Sequence, residues 1–142
     1  MDDPHDLQRF RAAQAGGVYD RAVAELRAGR KQSHWMWFVF PQIAGLGRSP
    51  TAQRYAVRSL DEARAYLADP TLGPRLRACA QVLVDLGQSD ADSIFGGIDA
   101  VKLRSSMTLF ARAAPDEPVF RAVLDRYFGG AADELTEQLL SR

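Results

Sequence analysis

Apolar residues recur at helical spacing along nearly the whole chain. Val18, Ala22 and Leu26 stand four apart, with Val23 beside them, and Gly29 follows as a stop. Leu76, Cys79, Ala80, Leu83 and Leu86 form a longer stripe that ends at Gly87. Leu103, Met107 and Phe110 make a third, and Phe120, Val123, Leu124, Tyr127 and Phe128 a fourth. Shorter helices are predicted over residues 6–14, 51–58 and 133–140. Ser59, followed three residues later by Glu62, reads as a capping box that opens a helix ended by Pro70. Asp99 is the expected N-cap of the Leu103 helix. Residues 89–97 hold at most a short helical turn. Only "WMWFVF" offers any strand-like alternation. The pattern therefore predicts an all-α fold of about six or seven helices, with orthogonal rather than coiled-coil packing, in one globular domain over residues 1–142.

Bulk properties add limits. A chain of 142 residues buries a core without disulfides or metals. Lys+Arg and Asp+Glu both number 18, which disfavours a free-standing nucleic-acid binder. The start, "MDDPHDLQRF", is acidic and polar, unlike a signal peptide, and no apolar run approaches membrane-spanning length. A cytoplasmic protein is expected. His5, His34 and Cys79 are the only histidines and cysteine, so neither a metal site nor a cofactor is expected. Cys79 lies on an apolar face and reads as core.

Candidate chemistry concentrates in "GRKQSHWMWFVFPQIAGLGRSP", residues 29–50. The Trp35 and Trp37 rings suit stacking on a base, Lys31 suits a phosphate, and His34 is of the residue type suited to shuttle a proton. Composition alone favours core for these rings, since large aromatics are mostly buried. The glycine-rich loop after them can turn backbone N–H groups to a ligand, and Ser49 either holds an anion or caps the next helix. Lys102, Ser105 and Ser106 share one side of their helix, either lining a cleft or forming a solvated face. Glu62 and Asp99 are candidate acid–base groups if buried near the aromatic segment. Asp125 falls outside its helix's stripe and reads as solvated.

The string "HWMWFVFPQ", with "QRYAVRSLDEARAYLADPTLGPRL" and "IFGGIDAVKLRSSMTLF", resembles a bacterial family of unknown function whose members often carry the label calpastatin-like. The resemblance covers about residues 6–130 and implies a compact multihelical domain. This composition is that of a folded globule, unlike the disordered inhibitor the label refers to. The order of parts is also similar to the NADAR superfamily, proposed to act on NAD- or ADP-ribose-derived ligands and including N-glycosidases. That resemblance implies Glu62 as the acid; His34-Trp35 stands where those proteins usually carry an acidic residue. It implies a nucleotide or ADP-ribose-type ligand, and the residues of this chain expected to hold one are Lys31, Trp35, Trp37, Gln42, Ser49, Lys102, Arg104 and Ser105, with Glu62, His34 and Asp99 as the candidate catalytic groups. Within the segment, Trp35 and Phe38 are expected to pack inward, and His34, Trp37 and Gln42 to face the ligand. The alternative is a non-catalytic domain that anchors a protein partner on the aromatic segment.

Overall fold

A computed structural model describes residues 3–141. Ten helices occur among them: α1 (Gln8–Ala13), α2 (Val18–Arg27), α3 (Met36–Val39), α4 (Pro50–Arg54), α5 (Leu60–Ala68), α6 (Leu72–Asp85), α7 (Ala91–Phe95), α8 (Gly97–Ala113), α9 (Pro118–Phe128) and α10 (Glu134–Leu140). The expected six or seven fall short mainly because α3 and α7 have only 4 and 5 residues. Such pieces are too short to display a period. The sole bridge among the described residues is a parallel pair, Ile43 with Val57.

The central helix is α8, which packs against α5, α7, α9 and α10, while α6 packs against α2, α5 and α9. A relay of rings ties these elements together. Phe10 meets Tyr66 edge-on at 5.1 Å, Tyr66 meets Phe110 at 5.4 Å, and Phe110 meets Phe120 at 5.9 Å. All four rings are fully buried, and each contributes about 1.5–3 kcal/mol through burial. Trp35, Phe40 and Phe95 form a second aromatic cluster. Helices α5 and α6 approach closely at Gly73. A Cβ there would lie 2.0 Å from the Leu67 carbonyl oxygen, so only glycine fits.

Four local expectations change. First, "WMWFVF" is not a strand: Met36–Val39 is one helical turn, with Met36, Val39 and Phe40 buried at helical spacing. Second, the helix predicted over 51–58 stops at Arg54. Its carbonyls are claimed from outside: Arg9 Nε donates to the Arg54 carbonyl at 2.8 Å and Arg9 Nη2 to that of Ala56 at 2.8 Å. The chain then extends, and Val57 pairs with the 42–44 segment. Third, α8 begins at Gly97 with Gly96 as N-cap. Asp99 lies inside the first turn, where its carboxylate still suits the positive helix end. Fourth, of the two readings of the Lys102 side of α8 the solvated face falls away, since Ser105 and Ser106 are 2 and 0% exposed. Ser59 does cap α5, accepting from the Glu62 N–H at 3.0 Å. Cys79 is buried in the core, which pushes its thiol up to about 12. Asp125 is exposed.

Candidate functional site

The site is assembled from a clamped loop, a glycine-rich loop and one edge of α8. The clamp is Glu25, near the end of α2. Its Oε1 accepts from the backbone N–H of Gln32 (2.7 Å) and of Ser33 (2.9 Å), and from Trp35 Nε1 (2.9 Å); Oε2 accepts from Ser33 Oγ at 2.6 Å. Burial works to raise the Glu25 pKa, but these four donors outweigh it and hold the carboxyl at about 2. The Lys31 N–H donates to the Ile94 carbonyl at 2.8 Å, tying the same loop to α7. Trp35 is thereby turned inward and is 1% exposed. His34, at the crest of the loop, is exposed.

The glycine-rich loop after α3 is held by the bridge to Val57, which donates to the Gln42 carbonyl and accepts from the Ala44 N–H. It then packs against α4 at Gly47, where a Cβ would come within 2.6 Å of the Ala52 Cβ. Between this loop, α8 and the start of α10 opens a cleft of about 400 Å³, within the range that takes a small ligand. Trp37, Gln42, Lys102 and Ser105 line it, with Ile98, Val101 and Leu135 at its edge. A smaller recess of about 140 Å³ shares Trp37, Gln42, Leu46, Gly47 and Ala52 and adds Arg58.

Electrostatics distinguish this cleft. Asp99 binds two lysines, Lys31 Nζ at 2.8 Å and Lys102 Nζ at 3.2 Å. Each lysine also lies over an indole ring: Lys31 is 5.2 Å from the Trp35 centroid and Lys102 3.8 Å from that of Trp37. Such contacts attract the ammonium group to the ring face. Burial tends to raise the Asp99 pKa, but the two ammonium groups prevail and lower it, so the carboxylate stays ionised. Neither lysine has a second carboxylate partner among the described residues. Trp37 Nε1 is buried and has no acceptor among them, and Ser106 Oγ is likewise unpartnered. Trp37 lines the cleft, while its Nε1 is closed off from solvent.

The structure thus brings together Trp37, Gln42, Lys102 and Ser105, with Asp99 and Lys31 behind Lys102. It does not bring the others. Glu62 is buried in an ion pair with Arg9 (Nη2–Oε2 2.7 Å) and lines neither hollow. Arg104 donates to the carbonyls of Ala131 and Ala132, securing the link to α10. Ser49 caps α4, accepting from the Ala52 N–H at 3.1 Å. Sequence reasoning missed Glu25, whose only outward sign is a lone acid just ahead of a polar loop. It also missed Asp133, which lines the cleft and caps α10 by accepting from Thr136. Among the described residues, no group of three or more His, Cys, Asp or Glu side chains is placed to hold a metal. No helix there is long and apolar enough to cross a membrane.

Residues 4–140 match the family described as a protein of unknown function, DUF1810. The chain belongs to the DUF1810 family. A crystal structure of a conserved hypothetical protein from Mycobacterium tuberculosis is similar over 99% of both chains, at 53% sequence identity and a TM-score of 0.95. No curated protein matches the chain. This DUF1810 chain therefore shares its fold with that protein, and its activity has to be argued from the cleft itself.

Proposed function

We propose that this DUF1810 protein binds a nucleotide-derived ligand of ADP-ribose type in the cleft bordered by Trp37. The supporting observation is the meeting, at one small-molecule-sized hollow, of the Trp37 ring and Lys102, the cleft-lining member of a lysine cluster carrying surplus positive charge. A base has an aromatic face and ring acceptors, and a phosphate supplies the anion. Lys102 covers one face of Trp37, so the ligand meets its edge or its other face. Gln42 and Ser105 supply further polar contacts at the same wall.

Hydrolysis of an N-glycosidic adduct is the reaction such binding would serve. Asp99, kept ionised between two lysines, lines neither hollow and would act by positioning Lys102 rather than by reaching water itself. Glu62 is committed to Arg9. Isothermal titration with ADP-ribose, NAD and AMP tests the reading. The expected result is a dissociation constant below about 1 mM for ADP-ribose, weakened about tenfold by Lys102→Gln. Absence of binding by all three would remove the proposal.

One observation favours a second reading, a protein-interaction domain. Among the described residues, Ile98, Val101 and Leu135 are the large apolar side chains that stand exposed, at 77, 60 and 50%, and all three line this one cleft. Exposed apolar groups gathered in one place mark contact surfaces more often than scattered ones do. A null result in the titration leaves this reading in place.

A further inference from the structure

The two-lysine, one-carboxylate cluster has a definite charge, and charge selects among phosphates. Lys31 and Lys102 carry two positive charges against one on Asp99. Their side chains are 9, 18 and 18% exposed, so water screens them incompletely. Lys31 is enclosed by Asp99 and Trp35 and does not line the cleft, whereas Lys102 does. Of the other charged residues at the two hollows, Asp133 turns one oxygen to the Thr136 N–H and hydroxyl, capping its own helix. Arg58 reaches toward Glu62 at 3.9 Å and lies at the far recess. The surplus within the Lys31–Asp99–Lys102 cluster is thus a single unit, and Asp133, still an anion, adds a negative charge to the wall of the same cleft.

One added negative charge brings the cluster to neutrality. A second would stand close to Asp99 as an uncompensated like charge in a partly desolvated place, which costs binding. We propose that the Lys31–Asp99–Lys102 cluster is a subsite for a phosphoryl group bearing one negative charge, as in a phosphodiester or pyrophosphate bridge. It discriminates against a terminal, doubly charged phosphate. This rests on the nucleotide reading above and narrows it. The preferred ligand is one whose phosphates are all internal or esterified, and a free mononucleotide is a poor one.

The test compares AMP with its 5′-methyl phosphate ester, which share base and ribose and differ in charge. At about pH 8, above the second phosphate pKa of about 6, AMP is the dianion and the ester the monoanion. Titration calorimetry at one fixed ionic strength is expected to show the ester bound about three- to tenfold more tightly by the wild type. Asp99→Asn raises the cluster to two uncompensated positive charges, and the order is expected to invert in favour of AMP. Tighter AMP binding by the wild type overturns the proposal, as does an unchanged order in an Asp99→Asn variant that circular dichroism shows to be folded. Should that variant not fold, Lys102→Gln serves instead. It neutralises the cluster, and both anions should then bind about as weakly as adenosine. Retention of wild-type affinities in Lys102→Gln contradicts the charge account. If ADP-ribose, AMP and the ester all fail to bind, the nucleotide reading itself falls. If they bind without charge order, only the subsite falls.

Discussion

Arg9→Met is expected to destabilise the protein by about 3–5 kcal/mol, a large part of a typical domain's total stability. The reason is the number of groups Arg9 satisfies. Its guanidinium donates to the carbonyls of His5, Asp6, Arg54 and Ala56 and to Glu62, all between 2.6 and 2.8 Å. Methionine fills the same space but leaves Glu62, 1% exposed, as a buried charge with only distant Arg58 in reach. It also frees the carbonyls that end α4. Urea unfolding followed by circular dichroism reads the effect as a fall in midpoint. A loss under about 1 kcal/mol would show that Glu62 finds water or another partner. The double variant Arg9→Met/Glu62→Leu removes both charges and should recover much of the loss, as buried pairs replaced by apolar residues commonly do. The same experiment bears on Glu62 as a catalytic acid. A carboxylate that holds α1, the 54–56 segment and α5 together acts on stability first.

Glu25→Gln is expected to cost about 2–4 kcal/mol and to loosen the loop that carries Lys31 and Trp35. Hydrogen bonds to a charged acceptor are the stronger kind, and Glu25 accepts four of them. An amide oxygen can keep the three N–H donors on Oε1, but they lose the acceptor's charge, and the amide nitrogen that replaces Oε2 forces the Ser33 hydroxyl to turn from donor to acceptor. The pH dependence has a definite sign. The folded-state pKa is depressed from an ordinary 4.5 to about 2, so the stabilisation is complete above the ordinary value and is lost as pH falls through that window. The stability gap between wild type and Glu25→Gln should therefore be constant at neutral pH and narrow as pH drops from about 5 toward 2. A gap that does not change with pH would mean that the carboxylate's charge is not what holds the loop.

The contrast between these residues and the helices explains what the sequence made legible. Helices α2, α6 and α9 follow from their apolar stripes, because burying one face writes a 3.6-residue period into the chain. Ser59 was visible as a cap because its partner, the Glu62 N–H, is three residues away. Arg9 and Glu62 are 53 residues apart, and nothing local distinguishes them from solvated charges. The same holds for Glu25, whose partners lie 7 to 10 residues on. Polar residues of α8 misled for the opposite reason. Ser105, Ser106 and Thr108 are small enough to be buried on a central helix, where Ser105 and Thr108 return their hydroxyls to the carbonyls of Val101 and Arg104. In the aromatic segment, composition could not separate Trp35 from Trp37. The separation is made by Glu25, which takes the indole of Trp35 and leaves that of Trp37 unpartnered at the cleft.

That difference gives the most direct test of the proposed ligand site. The protein has two tryptophans, so a proton–nitrogen correlation spectrum has two indole signals, assignable with Trp35→Phe or Trp37→Phe. On titration with ADP-ribose, the Trp37 signal is expected to shift and saturate, as a ligand seated against its ring changes the surroundings of the indole, while the Trp35 signal, held by Glu25 away from the cleft, stays nearly still. Two unmoved signals at millimolar ADP-ribose, or movement of Trp35 alone, would contradict the account.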